Sequence, residues 1–221
     1  MPINKEKYLE IRDELKSKNV GLVAVSKTKS VEDILELYNL GQRDFGENYV
    51  QELVDKENVL PKDIRWHFIG HLQTNKVKYI APFVHLIHGV ESYKLLNEIE
   101  KQANKNSKKI NVLLQIHIAK EETKFGLDEN ELTELMEKLS NEPKENVNII
   151  GLMGMASFTQ HENIIRSEFK KLKSLFDKHK AENFNTLSMG MSSDYKIAIN
   201  EGSTLVRIGS LLFGERVYDK S

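Results

Sequence analysis

The sequence predicts a single (β/α)8 barrel of the TIM type, and three observations carry this prediction. Short apolar segments rich in β-branched residues alternate with longer segments whose apolar residues recur at helical spacing. Alternation of this kind is typical of a parallel sheet, and the eight strand-like segments are the number that closes such a sheet into a barrel. No proline-rich or low-complexity linker interrupts the pattern, so we expect one domain over residues 1–221. An open, doubly wound sheet is the alternative, because periodicity alone does not show closure.

The first half of the chain opens with a charged segment whose pattern predicts a helix at about residues 3–18. Four segments that follow have the composition of strands, at residues 21–25, 43–46, 66–70 and 84–90. Helical spacing follows each of them, at residues 31–40, from 49 to about 58, at 74–80, and from Ser92 onward.

The second half repeats the alternation four more times. Strands are predicted at residues 110–118, 147–155, 186–190 and 204–210. Helices are predicted at 128–139, 163–180 and 193–199, and the segment LLFGERVY follows the last strand. Helix 163–180 is the most clearly amphipathic, because its apolar residues fall on one side.

Composition excludes several classes of function. The 32 basic and 33 acidic residues are spread along the chain and give a net charge of −1, so we expect neither nucleic-acid nor membrane binding. The chain has no cysteine, which excludes disulfides, thiolate nucleophiles and zinc-thiolate sites. The amino terminus lacks a signal-peptide pattern, and the apolar stretch YIAPFVHLIHGV is too short to span a bilayer. We therefore expect a cytoplasmic protein.

The histidines do not predict a metal site. His67 and His71 are four residues apart, but they lie in and beside a predicted strand, and no carboxylate or cysteine completes a ligand set. His161 and Glu162 lack the second histidine of a zinc-protease helix.

A lysine marks the end of the first predicted strand. The apolar run 21–25 gives way to Ser26, Lys27, Thr28 and Lys29, and helical spacing begins directly afterwards. In parallel α/β proteins chemistry is placed at the carboxyl ends of strands, where loops vary above a rigid sheet. Lys27 is therefore a candidate for chemistry, and the simpler alternative is a solvated loop cation.

The last two strands end in small and hydroxyl-bearing residues. The first ends in Ser188 and Gly190 and is followed by Ser192 and Ser193, and the second ends in Gly209 and Ser210, with Arg207 also on that strand. Small residues let a ligand approach the backbone, and barrel enzymes often hold phosphate at these two strands. Turn glycines and helix caps are the structural alternative. Together with a strand-end lysine, the pattern suits a Schiff-base cofactor such as pyridoxal phosphate.

Six separated motifs carry a family resemblance over about residues 20–216. They are AVSKTKS, FGENYVQE, WHFIGHLQTNK, ETKFGL, LSMGMSSDY and GSTLVRIGSLLFGER. In this order they resemble the pyridoxal phosphate homeostasis protein family, whose fold is similar to the amino-terminal barrel of alanine racemase, the fold type III of pyridoxal phosphate proteins.

The resemblance implies roles for seven residues. It implies that Lys27 forms the internal aldimine with pyridoxal 5'-phosphate. It further implies that the phosphate is held by Ser188, Gly209 and Ser210, that Arg207 faces the pyridine nitrogen, and that the ring is lined by Asn48 and His67. His117 departs from the family, which most often has asparagine at this position.

The resemblance also implies a function, namely carrying or buffering pyridoxal phosphate in vitamin B6 homeostasis. An arginine beside the pyridine nitrogen would keep that nitrogen unprotonated and weaken the ring as an electron sink, so we expect no dedicated catalytic turnover. Related racemases take a second acid/base group from an extra domain, and we expect none here because the sequence ends at Ser221. We expect a monomer whose candidate partners are pyridoxal phosphate-dependent apoenzymes.

Two other functions stay open at this point. A racemase or related amino-acid enzyme would use the same cofactor and the same lysine. A Schiff-base aldolase acting on sugar phosphates would use Lys27 and the phosphate-binding loops without a cofactor.

Overall fold

The computed structural model describes residues 3–119 and 125–214, and eight parallel strands in it close into a barrel. In chain order the strands are β1 Gly21–Val25, β2 Asp44–Glu47, β3 Arg65–Phe68, β4 Leu86–Val90, β5 Ile110–Ile116, β6 Val147–Gly154, β7 Thr186–Ser188 and β8 Leu205–Ile208. The barrel closes because β1 pairs with β8, in a register that runs from Gly21 opposite Leu205 to Ala24 opposite Ile208. The predicted (β/α)8 barrel is confirmed, and the open sheet was the wrong alternative.

Helices lie on the outside of the barrel: one precedes β1, and a helix follows each strand. They are α1 Lys5–Ser17, α2 Val31–Asn39, α3 Val50–Val59, α4 Val77–Ile80, α5 Tyr93–Lys105, α6 Glu129–Asn141, α7 Glu162–Lys178, α8 Tyr195–Asn200 and α9 Ser210–Phe213. A short 3-10 turn, Thr74–Lys76, leads into α4, so the helix predicted at 74–80 is divided. Strands β7 and β8 are shorter than predicted, because residues 189–190 leave the sheet after β7, and after β8 Gly209 caps helix α9, which begins at Ser210.

Side chains fix where several helices begin. The Ser30 hydroxyl accepts from the Asp33 amide, and the Asp33 carboxylate accepts in return from the Ser30 amide, which is a capping box at α2. Asp128 and Glu131 form the same reciprocal arrangement at α6. The sequence placed these helix starts within one residue, since the capping pattern is local.

The core lies between the barrel and the helices. Helix α7 illustrates how it forms: one face of the helix is buried against the sheet while the opposite face carries lysines. The buried apolar residues on that face are Ile165, Phe169, Leu172, Leu175 and Phe176. A smaller cluster of Leu86, Leu113 and Met153 comes from β4, β5 and β6.

Parts of two motifs lie outside the described residues, namely residues 122–124 of ETKFGL and residues 215–216 of the last motif. That residues 1–221 form one domain therefore stays a prediction. Within the described ranges, no helix has the length and apolar character required to cross a bilayer.

Candidate functional site

A cavity of about 550 Å³ opens at the carboxyl ends of the strands. Five of the seven predicted site residues line it, namely Lys27, Asn48, Arg207, Gly209 and Ser210. They come from the ends of β1, β2 and β8, which the chain brings together only when the barrel closes. A volume of this size suits a small-molecule ligand.

The residue before Lys27 is held by a buried charge pair. Ser26 donates its hydroxyl proton to Glu47 Oε1 at 2.6 Å, and Lys56 Nζ donates to both the Ser26 carbonyl and Glu47 Oε1 at 2.8 Å. Glu47 and Lys56 are almost completely buried. Burial raises the pKa of Glu47, and the charge and hydrogen bond of Lys56 oppose that rise. These contacts hold Ser26 in place at the end of β1, directly before Lys27.

The residue after Lys27 is held by the same group of charges. Glu52 Oε1 accepts from Lys56 Nζ at 2.7 Å and from the Thr28 amide at 2.5 Å. Thr28 has a φ of 65°, a left-handed conformation that costs a β-branched residue about 1–2 kcal/mol. The hydrogen bond from Glu52 offsets part of this strain, so the turn at Lys27 keeps a defined shape.

Lys29 also lines the cavity but lies in a different environment. Its ammonium donates to the carbonyl oxygen of Phe213 at 2.9 Å and to that of Gly214 at 3.4 Å. These contacts join the loop after β1 to the end of α9. Lys29 is therefore a useful comparison for Lys27, because both are cationic and both border one cavity.

Serine hydroxyls gather on the side of the cavity formed by the last two strands. Ser192 and Ser193 follow β7, and Ser210 follows β8. Ser192 Oγ accepts from the amide of Gly209 at 3.2 Å, which ties the two loops together. Three hydroxyls beside a glycine that lets a ligand approach the backbone are a suitable environment for a phosphate.

The cavity is also lined by Asn48. Its Oδ1 atom is buried and accepts no hydrogen bond from any part of the chain that the structure describes. A Cβ atom on Gly70 would lie 2.3 Å from the Asn48 carbonyl oxygen, so only glycine lets the two loops approach this closely. The close approach of these two loops fixes the position of Asn48 beside the cavity.

Arg207 extends to the cavity from inside the barrel. Its guanidinium donates to the Ser188 carbonyl at 2.9 Å, to Ser188 Oγ at 2.5 Å and to the Gly154 carbonyl at 3.1 Å. Burial lowers the pKa of Arg207 to about 10, so the side chain is still protonated at neutral pH. The cavity therefore has a fixed positive charge in its wall.

Ser188 and His67 are placed differently from the other five predicted residues. Both are buried and lie outside the cavity lining. The Ser188 hydroxyl contacts Arg207 and His88, and His67 contacts His88 and Asp44. The structure therefore does not bring these two side chains into the cavity lining, and both form hydrogen bonds within the barrel.

Some residues of the site were missed by sequence reasoning. Ile69, Met155 and Phe158 line the cavity, and no local pattern distinguishes them from core or loop residues. His88 was missed because it lies within an apolar strand. His117, where the chain departs from the family, lies outside the cavity lining, and its amide donates to the Leu127 carbonyl at 2.9 Å.

Asp44, His67 and His85 bring potential metal-ligand atoms within 4.8 Å of one another. The Asp44 carboxylate already accepts two hydrogen bonds from Arg65, at 2.7 and 2.5 Å, and one contact to His67 Nε2 at 3.0 Å. A metal ion would have to displace the arginine, so we do not assign a metal to this group.

Asp44 should make stability depend on pH. Burial favours its neutral form, but hydrogen bonds from His67 and Arg65 outweigh burial and hold the pKa of Asp44 well below its ordinary value of 3.8. A lowered pKa in the folded state stabilises the fold above the ordinary value, and this contribution is lost as the pH falls. We expect Asp44→Asn to lower the free energy of unfolding at pH 7 by about 1–3 kcal/mol.

The difference between the wild-type and Asp44→Asn proteins should shrink as the pH falls below 3.8, which urea unfolding at a series of pH values would measure. Asp63→Asn is the control, since Asp63 pairs with Arg43 on the surface and is 56% exposed. A difference that stays constant from pH 7 to acid would contradict the assignment.

Comparison with known proteins agrees with the geometry. Residues 5–217 match the family described as alanine racemase, N-terminal domain. Alanine racemase from Bartonella henselae shares the fold, with a TM-score of 0.69 and 17% identity over 95% of this chain and 59% of that chain. The barrel, its strand-end lysine and its serine-lined cavity thus define a protein of the alanine racemase N-terminal class.

Two further proteins are more similar to this chain in sequence than the racemase is. A curated protein of Aquifex aeolicus (strain VF5), named pyridoxal phosphate homeostasis protein, is 45% identical over 202 residues, which are 89% of this chain and 87% of the relative. PipY of Synechococcus elongatus PCC7942, solved with PLP bound, has a TM-score of 0.85 and 33% identity over 95% of this chain and 99% of that chain. The chain belongs to the pyridoxal phosphate homeostasis protein family, and the resemblance in the sequence is confirmed.

Proposed function

We propose that this protein binds pyridoxal 5'-phosphate through Lys27 and carries or buffers it in vitamin B6 homeostasis. The observation that carries the proposal is the placement of a lysine, a buried arginine and three serine hydroxyls around one cavity. The relative from Aquifex aeolicus bears the name of this function, and PipY was solved with PLP bound.

The chemistry of the cavity fits this cofactor. When bound, pyridoxal phosphate supplies an aldehyde that condenses with a primary amine. Lys27 is the candidate amine, and Ser192, Ser193 and Ser210 are candidate donors to the phosphate. Asn48 lines the same cavity and is the candidate to border the ring.

The charge of Arg207 supports a carrier rather than an enzyme. The family resemblance places this side chain at the pyridine nitrogen, and burial leaves the guanidinium protonated at neutral pH. A permanent cation there disfavours a proton on the ring nitrogen, so the cofactor is a poor sink for carbanion electrons. We therefore infer that the protein has no dedicated catalytic turnover.

Solvent isotope exchange tests this inference. The loaded protein is incubated with L-alanine in D2O, and deuterium at the α carbon is followed by NMR. A carrier should give no exchange above that of free pyridoxal phosphate, whereas a racemase would exchange the proton at a catalytic rate. A Schiff-base aldolase is tested separately, since it would cleave a sugar phosphate without any coloured cofactor.

The phosphate site gives a more specific prediction. Ser210→Ala removes one hydroxyl from the cavity wall, and loss of a hydrogen bond to a charged group should weaken pyridoxal phosphate binding about tenfold. Titration followed by the change in visible absorption measures the affinity. Pyridoxal, which lacks the phosphate, is the matched control ligand, and its affinity should not change. Equal weakening for both ligands would show that Ser210 does not act on the phosphate.

We also propose that the carrier is a cytoplasmic monomer that delivers its cofactor to apoenzymes. The absence of cysteine is consistent with a reducing compartment.

Mixing the loaded protein with an apo-aminotransferase tests delivery, because transfer should restore transaminase activity while the carrier loses its visible band. Sedimentation of the loaded protein measures its molecular mass, which should be that of a single chain.

A further inference from the structure

A chain of polar side chains crosses the interior of the barrel from one end to the other. Asp44 stands at the start of β2, at the end of the barrel opposite the cavity. From Asp44 Oδ1 the chain continues to His67 Nε2 at 3.0 Å, and from His67 Nδ1 to His88 Nε2 at 2.9 Å. It ends with His88 Nδ1, which lies 3.1 Å from Ser188 Oγ, and with Ser188 Oγ, which lies 2.5 Å from Arg207 Nη1.

The donors and acceptors in this chain can be assigned, because its two ends are fixed. Arginine has only donors, so Ser188 Oγ accepts from Arg207, and the serine proton is free to be donated to His88 Nδ1. At the other end an ionised carboxylate only accepts, so His67 Nε2 carries a proton and donates to Asp44. With two neutral rings between these ends, the donors and acceptors match when each histidine has its proton on Nε2.

The opposite direction of donation fails for neutral histidines. It would put the protons on Nδ1 of His67 and His88, leaving an unprotonated His67 Nε2 against the Asp44 carboxylate. Two acceptors would face each other in a buried place, which is costly. It would also direct two donors at Ser188 Oγ and leave the serine proton without its acceptor on His88.

Burial and charge agree with the assigned direction. Burial lowers the pKa of His88 well below its ordinary value, and the charge of the neighbouring Arg207 also favours the neutral ring. Besides Asp44 and His88, the charged or titratable groups near His67 are His85, whose ring centroid lies 5.5 Å away, and Arg65, which pairs with Asp44. The chain thus runs from a buried guanidinium to a carboxylate at the opposite rim.

We propose that Asp44, His67 and His88 are positioning residues that orient the Ser188 hydroxyl and, through it, the Arg207 guanidinium at the cofactor cavity. The inference rests on the proposed binding of pyridoxal phosphate for its effect on the ligand, whereas the direction of the hydrogen bonds stands without it. A chain of hydrogen bonds with one direction strengthens each of its members. A substitution of Asp44, at the end of the barrel opposite the cavity, therefore weakens the hydrogen bonds that hold the Arg207 guanidinium.

The direction of the chain is tested by nitrogen NMR on the wild-type protein, both before and after loading with pyridoxal phosphate. The ring nitrogens of His67 and His88 should each show a protonated Nε2 and an unprotonated Nδ1. A proton on Nδ1 of either ring at neutral pH would overturn the proposal. This result does not depend on ligand binding, so failure of the proposed function and failure of this inference are distinguishable.

The effect at the cavity is tested by His88→Leu and His88→Gln. His88→Leu removes the partners of the Ser188 hydroxyl proton and of His67 Nδ1, and we expect about tenfold weaker pyridoxal phosphate binding and a shifted absorption maximum. Borohydride should still attach the cofactor to Lys27. His88→Gln keeps one donor and one acceptor, so part of the affinity and the original maximum should return. Equal behaviour of the two variants would overturn the positioning role.

Asp44→Asn provides a second variant at the rim of the barrel, in case replacement of the buried His88 prevents folding. The side chain of Asp44 is 24% exposed, and its replacement removes the charge at the end of the chain without changing its shape. We expect a shifted absorption maximum and a several-fold weaker affinity for pyridoxal phosphate. Asp63→Asn, near the same rim but outside the chain, should change neither. An Asp44→Asn protein with wild-type spectrum and affinity would contradict the proposal.

Discussion

Lys27→Ala is expected to abolish covalent retention of pyridoxal phosphate. Without the amine the aldehyde has no partner, and the serine hydroxyls and Arg207 are left to hold the cofactor by noncovalent contacts alone. We expect the visible absorption band of the bound cofactor to be replaced by the spectrum of the free aldehyde. Affinity in dialysis should fall by about a hundredfold or more, where each factor of ten is about 1.4 kcal/mol.

Lys29→Ala is the matched control for that experiment. Lys29 is two residues away, borders the same cavity and carries the same charge, but its ammonium is bound to the carbonyls of Phe213 and Gly214. The variant should keep the visible band and most of the affinity. If Lys29→Ala lost the band while Lys27→Ala kept it, the roles assigned to the two lysines would be reversed.

Lys56→Met is expected to destabilise the fold strongly. It leaves the Glu47 carboxylate buried without its cation, and removal of one partner from a buried ion pair typically costs about 3–5 kcal/mol. It also removes the donor that holds the Ser26 carbonyl and the Glu52 carboxylate. Both neighbours of Lys27 lose support, so capture of pyridoxal phosphate should be slower even where the protein remains folded.

Chemical denaturation and stopped-flow absorption measure these two effects. Lys62→Met is the control, because Lys62 pairs with Glu57 on the surface, its side chain is 64% exposed, and exposed pairs contribute at most about 1 kcal/mol. Adding Glu47→Gln to Lys56→Met should recover part of the stability, since no uncompensated charge then remains buried. A Lys56→Met protein as stable as the Lys62→Met protein would show that the pair does not support the loop.

The fold was predictable because its evidence is local. Strand β1 lies within the predicted bounds, and most other elements begin or end within a few residues of prediction, since apolar periodicity and capping residues act over one or two turns. Closure of the barrel depends on contact between the first and last strands, and in the sequence only the number of predicted strands indicated it. The ends of β7 and β8 were placed too late, because the sequence does not show where a strand stops pairing.

The site was predictable only in part, for a geometric reason. Lys27, Asn48, Gly209 and Ser210 come after the ends of their strands, and such residues reach the cavity whatever the tilt of the barrel. Ser188 and His67 lie within strands, where the depth of an inward side chain depends on tilt and register. The support of the lysine loop joins Glu47 of β2 to Lys56 of α3, and no spacing in the sequence shows that these charges meet at Ser26.

The central claim is that Lys27 is the residue that holds the cofactor, and mapping of the covalent bond tests it most directly. The protein is saturated with pyridoxal phosphate, reduced with borohydride, digested and analysed by mass spectrometry. We expect one stable phosphopyridoxyl group, on Lys27. A label on Lys29 or spread over surface lysines, or a protein that takes up none, would contradict it.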